Sequence, residues 1–385
     1  MADRRAEGDW RASWAEIDLD AVRHNVRILV ERCAPASVCA VVKADAYGHG
    51  APAVAAAALD AGAAWLAVAL VEEGVVLRDA GVQAPVLLLA EPPPAAMGAV
   101  RAARLVPTLY TRTGVAAAAA SAAPGDPPLE VHVKVDTGMH RVGADPADVV
   151  ALARAVEDAP PLRLGGTWTH LAVADEPGQA AYTAAQLRRF DEVRAELSAA
   201  GIDPGTVHAA NSAAALSEPA SRYDLVRCGI AVYGYSPVPV PGGWPLLRPV
   251  LSLRSKVSLT RALPAGERIS YGLRYGLTSD AVVATVPLGY ADGVPRRLSA
   301  AGGQVLVGGR RIPMAGTVTM DQLMVDCGPG AAVAAGDDVV LLGRQGDEEI
   351  WADDWARRLD TIPYEIVCGI GKRVPRIVRN GPGDA

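Results

Sequence analysis

Phenylalanine occurs once in the 385 residues, and lysine only at Lys43, Lys134, Lys256 and Lys372, so arginine carries nearly all the positive charge. Chemistry that needs a side-chain amine therefore has few places to reside. The cysteines, five in number, include no C-x-x-C pair, which argues against a disulfide framework and a thiolate zinc site and for a reducing, cytoplasmic compartment. There is no long basic block and the net charge is −6, so nucleic-acid binding has no electrostatic support. No apolar stretch is long enough for a membrane span: the alanine-rich run at 51–70 is broken by Asp60 and Gly62. Residues 1–14 carry arginines and acids where a secretory leader needs an apolar core. These absences leave a small molecule as the expected partner.

Half of the chain is hydrophobic (50%), enough for a large core and two domains. Between Ser37 and Gly234 eight apolar runs read as strands: 38–43, 64–70, 85–89, 105–110, 129–135, 162–170, 206–210 and 224–230. Helical stretches such as 51–61, 71–80, 146–157 and 179–200 lie between them. Strand–helix alternation of this length predicts a closed (β/α)8 TIM barrel. An open doubly wound sheet is the rival, weakened because no G-x-G-x-x-G follows the first strand. Trp14–Asp20 reads as a short half-buried strand ahead of the barrel. The proline-rich stretch 236–243 reads as a linker, dividing the chain into a barrel at 1–240 and a mostly β C-terminal domain at 241–385 in which only 353–358 looks helical.

Barrel enzymes gather their chemistry at the C-terminal ends of the strands, and the polar residues of this chain fall there. Lys43 ends the first run, Lys134 and Arg141 follow the fifth, His170 ends the sixth, Asn211 and Ser212 follow the seventh, and Arg227 and Gly229 close the eighth. Ser212 and the Gly229-Ile230 backbone occupy the loops where barrels often hold a phosphate. A lysine beside a phosphate pocket suggests pyridoxal 5'-phosphate (PLP), which needs an amine for its Schiff base and donors for its phosphate. Arg227 at the ring nitrogen, where a carboxylate is usual, gives a weaker electron sink because a guanidinium does not readily release its proton.

The segments 43–50 (KADAYGHG), 134–141 (KVDTGMHR), 169–170 (TH), 208–212 (HAANS), 226–230 (VRCGI), 270–272 (SYG), 289–293 (GYADG), 320–322 (MDQ) and 364–365 (YE) resemble the bacterial alanine racemases, and the likeness runs from Trp14 to Arg376. The resemblance implies that Lys43 carries PLP and that Tyr47, Ser212, Gly229, Ile230 and Tyr364 contact its phosphate. It implies that Arg227 faces the pyridine nitrogen and that His170, linked to Arg227, supplies positive charge towards Tyr271. Arg141 and the Met320 backbone would bind substrate, with Lys134, free or as a carbamate, Asp321 and Tyr290 in support. Lys43 and Tyr271 would be the two bases on opposite faces of Cα that inversion requires. Tyr271 and Met320 would come from the partner subunit of a head-to-tail homodimer.

Thr317 and Thr319 stand where the family often has arginine and cysteine, while Asp175, Tyr290, Arg296 and Ile362 match the rest of the substrate corridor. The implied activity is the interconversion of L- and D-alanine for peptidoglycan. Two alternatives stay open: a racemase of serine or of a broader range of amino acids, since one methylene discriminates by only about 1–3 kcal/mol, and a PLP-dependent decarboxylase.

Overall fold

The computed structural model describes residues 11–239 and 246–381. The sequence-derived boundary at 240/241 and part of the linker lie outside the described residues. By its contacts the chain forms two compact units: one takes residues 21–46 and 51–248, the other the residues up to Asp20, Tyr47–Gly50 and the chain from Pro249.

The first unit is the barrel. Its strands are Ser37–Val41, Trp65–Val68, Val86–Leu88, Thr108–Leu109, Leu129–Lys134, Leu162–Trp168, Thr206–His208 and Leu225–Cys228. They pair in sequence order through parallel ladders, and the first pairs with the eighth. Backbone bonds close the two gaps in the ladder, Val106 N–H to Val86 O and Leu88 N–H to Val106 O at 2.9 Å on one side and Asp224 N–H to Val207 O at 3.0 Å on the other. Most of these strands are near-continuous apolar runs, as parallel strands covered on both faces must be. The fifth differs. Glu130, His132 and Lys134 alternate along it with the buried Leu129, Val131 and Val133, so one face of this strand is polar.

The second unit is built on antiparallel sheets. Ser13–Asp18, expected from the sequence as a preface to the barrel, is instead an inner strand here, paired antiparallel with Leu251–Lys256 and parallel with Arg376–Arg379. Its buried Ser13, Ala15 and Ile17 alternate with more exposed neighbours, the pattern of a sheet covered on one face. A second helix, Pro363–Gly369, joins the expected one, found at Ala352–Leu359. Pro363 starts it without penalty because the first helical position has no acceptor for its N–H. A two-stranded ribbon, Arg268–Ile269 with Tyr275–Gly276, carries the loop that holds Tyr271.

Candidate active site

The first barrel strand ends at Val41, and Lys43 opens the turn that follows it. Ala44, Asp45, Ala46 and Tyr47 take φ values of +51° to +54°, and Gly48 follows at +80°, so the chain turns left-handed through four residues with side chains, at a cost of about 1 kcal/mol or more each. Hydrogen bonds hold this turn. The Ala44 N–H donates to Glu73 Oε1 at 2.6 Å and the Ala51 N–H to Asp45 Oδ1 at 2.7 Å. Glu73 Oε2 meanwhile accepts from Ala69 and Leu70 N–H at 2.8 and 3.1 Å, tying the second strand's end to the first's. A left-handed stretch of non-glycine residues persists only where its surroundings over-determine it.

At the ends of the later strands, Ser212 Oγ accepts from the Gly229 N–H at 2.9 Å and the Ala231 N–H at 3.4 Å, joining the loops after the seventh and eighth strands around the buried Ile230. Arg227 is buried at 3% exposure. It donates to His208 Nδ1 (2.8 Å), Thr169 O (2.8 Å), Ala209 O (3.0 Å) and His170 Nδ1 (3.3 Å). Its guanidinium also lies 4.4 Å from the Trp168 ring centroid, as does the Lys134 Nζ. Trp168 stacks on His208 and donates from Nε1 to Thr108 Oγ1 at 3.1 Å.

This cluster of positive charge perturbs its own members. Burial, then Arg227 and Arg141, bring the Lys134 amine down to about 7. Burial and the neighbouring Arg227 hold His170 well below the usual imidazole range. His170 is therefore neutral, and the charge expected of it belongs to Arg227, which donates to its Nδ1. Lys43, Lys134, Arg141, His170 and Arg227 act on one another electrostatically, so the barrel does bring these five together. Arg141 itself is exposed.

The remaining residues belong to the β unit. Tyr47 is buried there with its ring 5.9 Å from that of Tyr364, and Arg376 donates to Gly48 O at 3.0 Å. Burial pushes the Tyr47 phenol well up, so it stays a neutral donor. Asp321 pairs with Arg373, which also holds the buried Asp292 against Arg11. Tyr271 is 73% exposed, and Met320, Tyr290 and Ile362 are exposed too. The two threonines of the corridor tie this surface down. Thr317 Oγ1 donates to Tyr271 O at 3.1 Å, and Thr319 Oγ1 to Gln322 O at 2.8 Å.

Trp168, Glu73, His132 and His208 have structural roles that the sequence pattern did not assign. The alternation of Glu130, His132 and Lys134 along an apolar strand was the available signal. No helix among the described residues is long and apolar enough to cross a membrane, and no cluster of metal-ligating side chains occurs among them.

Comparison with known proteins follows the same two-part division. Residues 17–237 match the alanine racemase N-terminal domain and residues 250–378 the alanine racemase C-terminal domain. The alanine racemase of Symbiobacterium thermophilum is 48% identical over 95% of this chain and 97% of its own. The crystal structure of alanine racemase from Bacillus anthracis with bound L-Ala-P superposes with a TM-score of 0.88 at 40% identity, covering 97% of this chain and 96% of that one. A histidine racemase from Leuconostoc mesenteroides reaches a TM-score of 0.89 at 30% identity, with 97% and 99% covered. On this match across both halves, the chain belongs to the alanine racemase family.

Proposed function

We propose that this protein interconverts L- and D-alanine with PLP held on Lys43, supplying D-alanine for peptidoglycan. The observation that carries the reading is Arg227: a buried guanidinium caged by imidazoles and carbonyls, with no carboxylate among its hydrogen-bond partners in the described residues. Such a group suits a neutral pyridine nitrogen, to which it donates a hydrogen bond while keeping its own proton. The lysine at the strand end and the Ser212–Gly229 loop fit the aldehyde and phosphate of the same cofactor. PLP bound there would withdraw electrons from the substrate Cα and so ease loss of its proton, weakly because the ring stays unprotonated.

The protein groups do the rest. Tyr47 and Tyr364 would hold the phosphate of the bound cofactor, together with Ser212 and the Gly229-Ile230 backbone. Arg141 and, from a second copy, the Met320 backbone would hold the substrate carboxylate, Lys134 would steady Arg141, and Asp321 and Tyr290 would shape the approach. The Lys43 amine takes or returns the Cα proton on one face and Tyr271 of a second copy on the other, in a head-to-tail homodimer. The neutral His170 relays the field of Arg227 towards Tyr271, lowering the cost of its phenolate. The five free thiols support a reducing, cytoplasmic setting.

A second reading, a wider amino-acid range, draws on the histidine racemase that shares the fold. One experiment separates the readings. Incubation of L-alanine, L-serine and L-histidine with the enzyme and PLP in D2O should give Cα-deuterated D-alanine fastest. A higher kcat/KM for serine or histidine contradicts the alanine assignment, and release of an amine contradicts racemisation.

A further inference from the structure

A polar chain leads from Arg227 through the barrel interior, where branched apolar side chains usually pack. Arginine only donates, so His208 Nδ1 accepts at 2.8 Å and the neutral ring carries its proton on Nε2. That proton faces His132 Nδ1 at 2.9 Å, which sets His132 to the same tautomer. His132 Nε2 then lies 3.5 Å from Glu130 Oε1, an ion-pair distance and not a hydrogen bond, and has no hydrogen-bond partner among the described residues, so its N–H dipole faces the carboxylate. The polarity runs one way, from guanidinium through two imidazoles to a carboxylate.

Burial together with Arg227 keeps His208 well below the imidazole range, and burial lowers His132 as well, so both rings are neutral links. The contact with His132 comes first among the causes that hold the Glu130 carboxyl down. Glu130 is itself part-exposed and pairs on its outer side with Arg163, a solvent-facing residue.

The neighbouring strand makes room for this chain. The ladder between the fifth and sixth strands shifts register between Val131 and His132, so that His132 lies opposite Gly166, and such bulges re-aim side chains. A Cβ on Gly166 would fall 2.6 Å from His132 Cε1, and one on Gly165 would collide with the Glu130 side chain. Only glycines there let both polar side chains keep their places.

We propose that Glu130 and His132 are positioning residues for Arg227: along this one-way chain the carboxylate acts as the remote counter-charge of the buried guanidinium, keeping it charged and aimed at the cofactor ring. Unpaired buried charge is costly, and aligned hydrogen bonds polarise one another in a low-dielectric interior. The last clause of the proposal rests on the assignment of Arg227 as the ring's partner; the histidine tautomers do not.

The test is nitrogen-15 NMR of the imidazoles in the full-length, PLP-loaded enzyme, whose six histidines can be assigned by single substitutions. The wild type should show His132 and His208 each with a bare Nδ1 and a protonated Nε2 between about pH 6 and 9. Glu130→Gln should move the signals of both rings while the cofactor's visible band remains, and should lower kcat about tenfold with KM changed less than about twofold. Arg163→Ala should leave the His208 signals and kcat in place. A protonated Nδ1 on either ring in the wild type, which needs no variant to fold, overturns the chain. Unmoved His208 signals in a folded Glu130→Gln enzyme overturn the remote counter-charge. A wild type that takes up no PLP overturns the assignment of Arg227 instead.

Discussion

The barrel mouth and the Tyr271 loop are built to opposite standards. Arg227 and Lys134 are each 3% exposed, and Arg227 donates to four acceptors inside its own unit. Tyr271 is 73% exposed on a loop with Ser270, Gly272 and Leu273 at positive φ, and Leu273 and Met320 of the same unit are exposed too. Arg227, Lys134 and the groups that hold Arg227 all lie within the barrel unit. The loop holds strained backbone while presenting an aromatic to solvent, an arrangement that fits the second copy proposed above. The contrast separates charged groups buried and held within one unit from an aromatic presented at the surface of the other.

Substitutions on the two sides should fail in different ways. Lys43→Ala should abolish racemisation, by about 10^4-fold or more, and remove the cofactor's visible band, because it takes away both the attachment point and one base. Persistence of that band would move the attachment elsewhere. Tyr271→Phe should leave the band intact yet slow racemisation by about 10^2 to 10^4, the range of a general acid–base group; unchanged turnover would remove Tyr271 from the chemistry.

Lys134 sharpens the contrast through pH. Its amine sits at about 7 against an ordinary 10.5, so between these values the unfolded chain holds a proton that the folded one lacks. Stability of the cofactor-free protein should therefore rise with pH over this window and be lost as pH falls towards 7. Comparing melting temperatures near pH 7.5 and 9.5 with those of Lys134→Met, in which the rise should shrink, checks the sign. The smallest effect belongs to Thr317→Val. It removes the hydroxyl bonded to Tyr271 O and should cost about 1 kcal/mol or less in stability, with kcat falling more than KM changes. Equal losses in both would mean that the hydroxyl serves binding instead.

Much of the mouth could be read from the chain because parallel barrel strands are near-continuous apolar runs, and a polar residue at the end of such a run marks the catalytic face. Lys43, Lys134, Ser212 and Arg227 stand out on that ground alone. Tyr271 does not: a Ser-Tyr-Gly turn has no periodicity, and only the family resemblance singled it out. The left-handed turn after Lys43 was hidden because Ala44, Asp45, Ala46 and Tyr47 give no local sign of positive φ. Helix Pro363–Gly369 is too short for a helical period to show. The Ser13–Asp18 strand showed the right alternation, but alternation does not say which sheet a strand joins. His132 and Glu130 were visible as every second residue of an apolar strand. Their purpose was not, because hydrogen-bond direction comes only from having Arg227, His208 and His132 in line.

Mixing the two inactive variants tests the shared site most directly. Lys43→Ala and Tyr271→Phe chains, dissociated and reassociated together with PLP, should form hybrids in which one of the two sites has an intact Lys43 from one copy and an intact Tyr271 from the other. Random reassociation then restores about a quarter of wild-type racemase activity. A mixture as inactive as either variant alone, with hybrid dimers demonstrably present, would place both bases in the same chain and contradict the account.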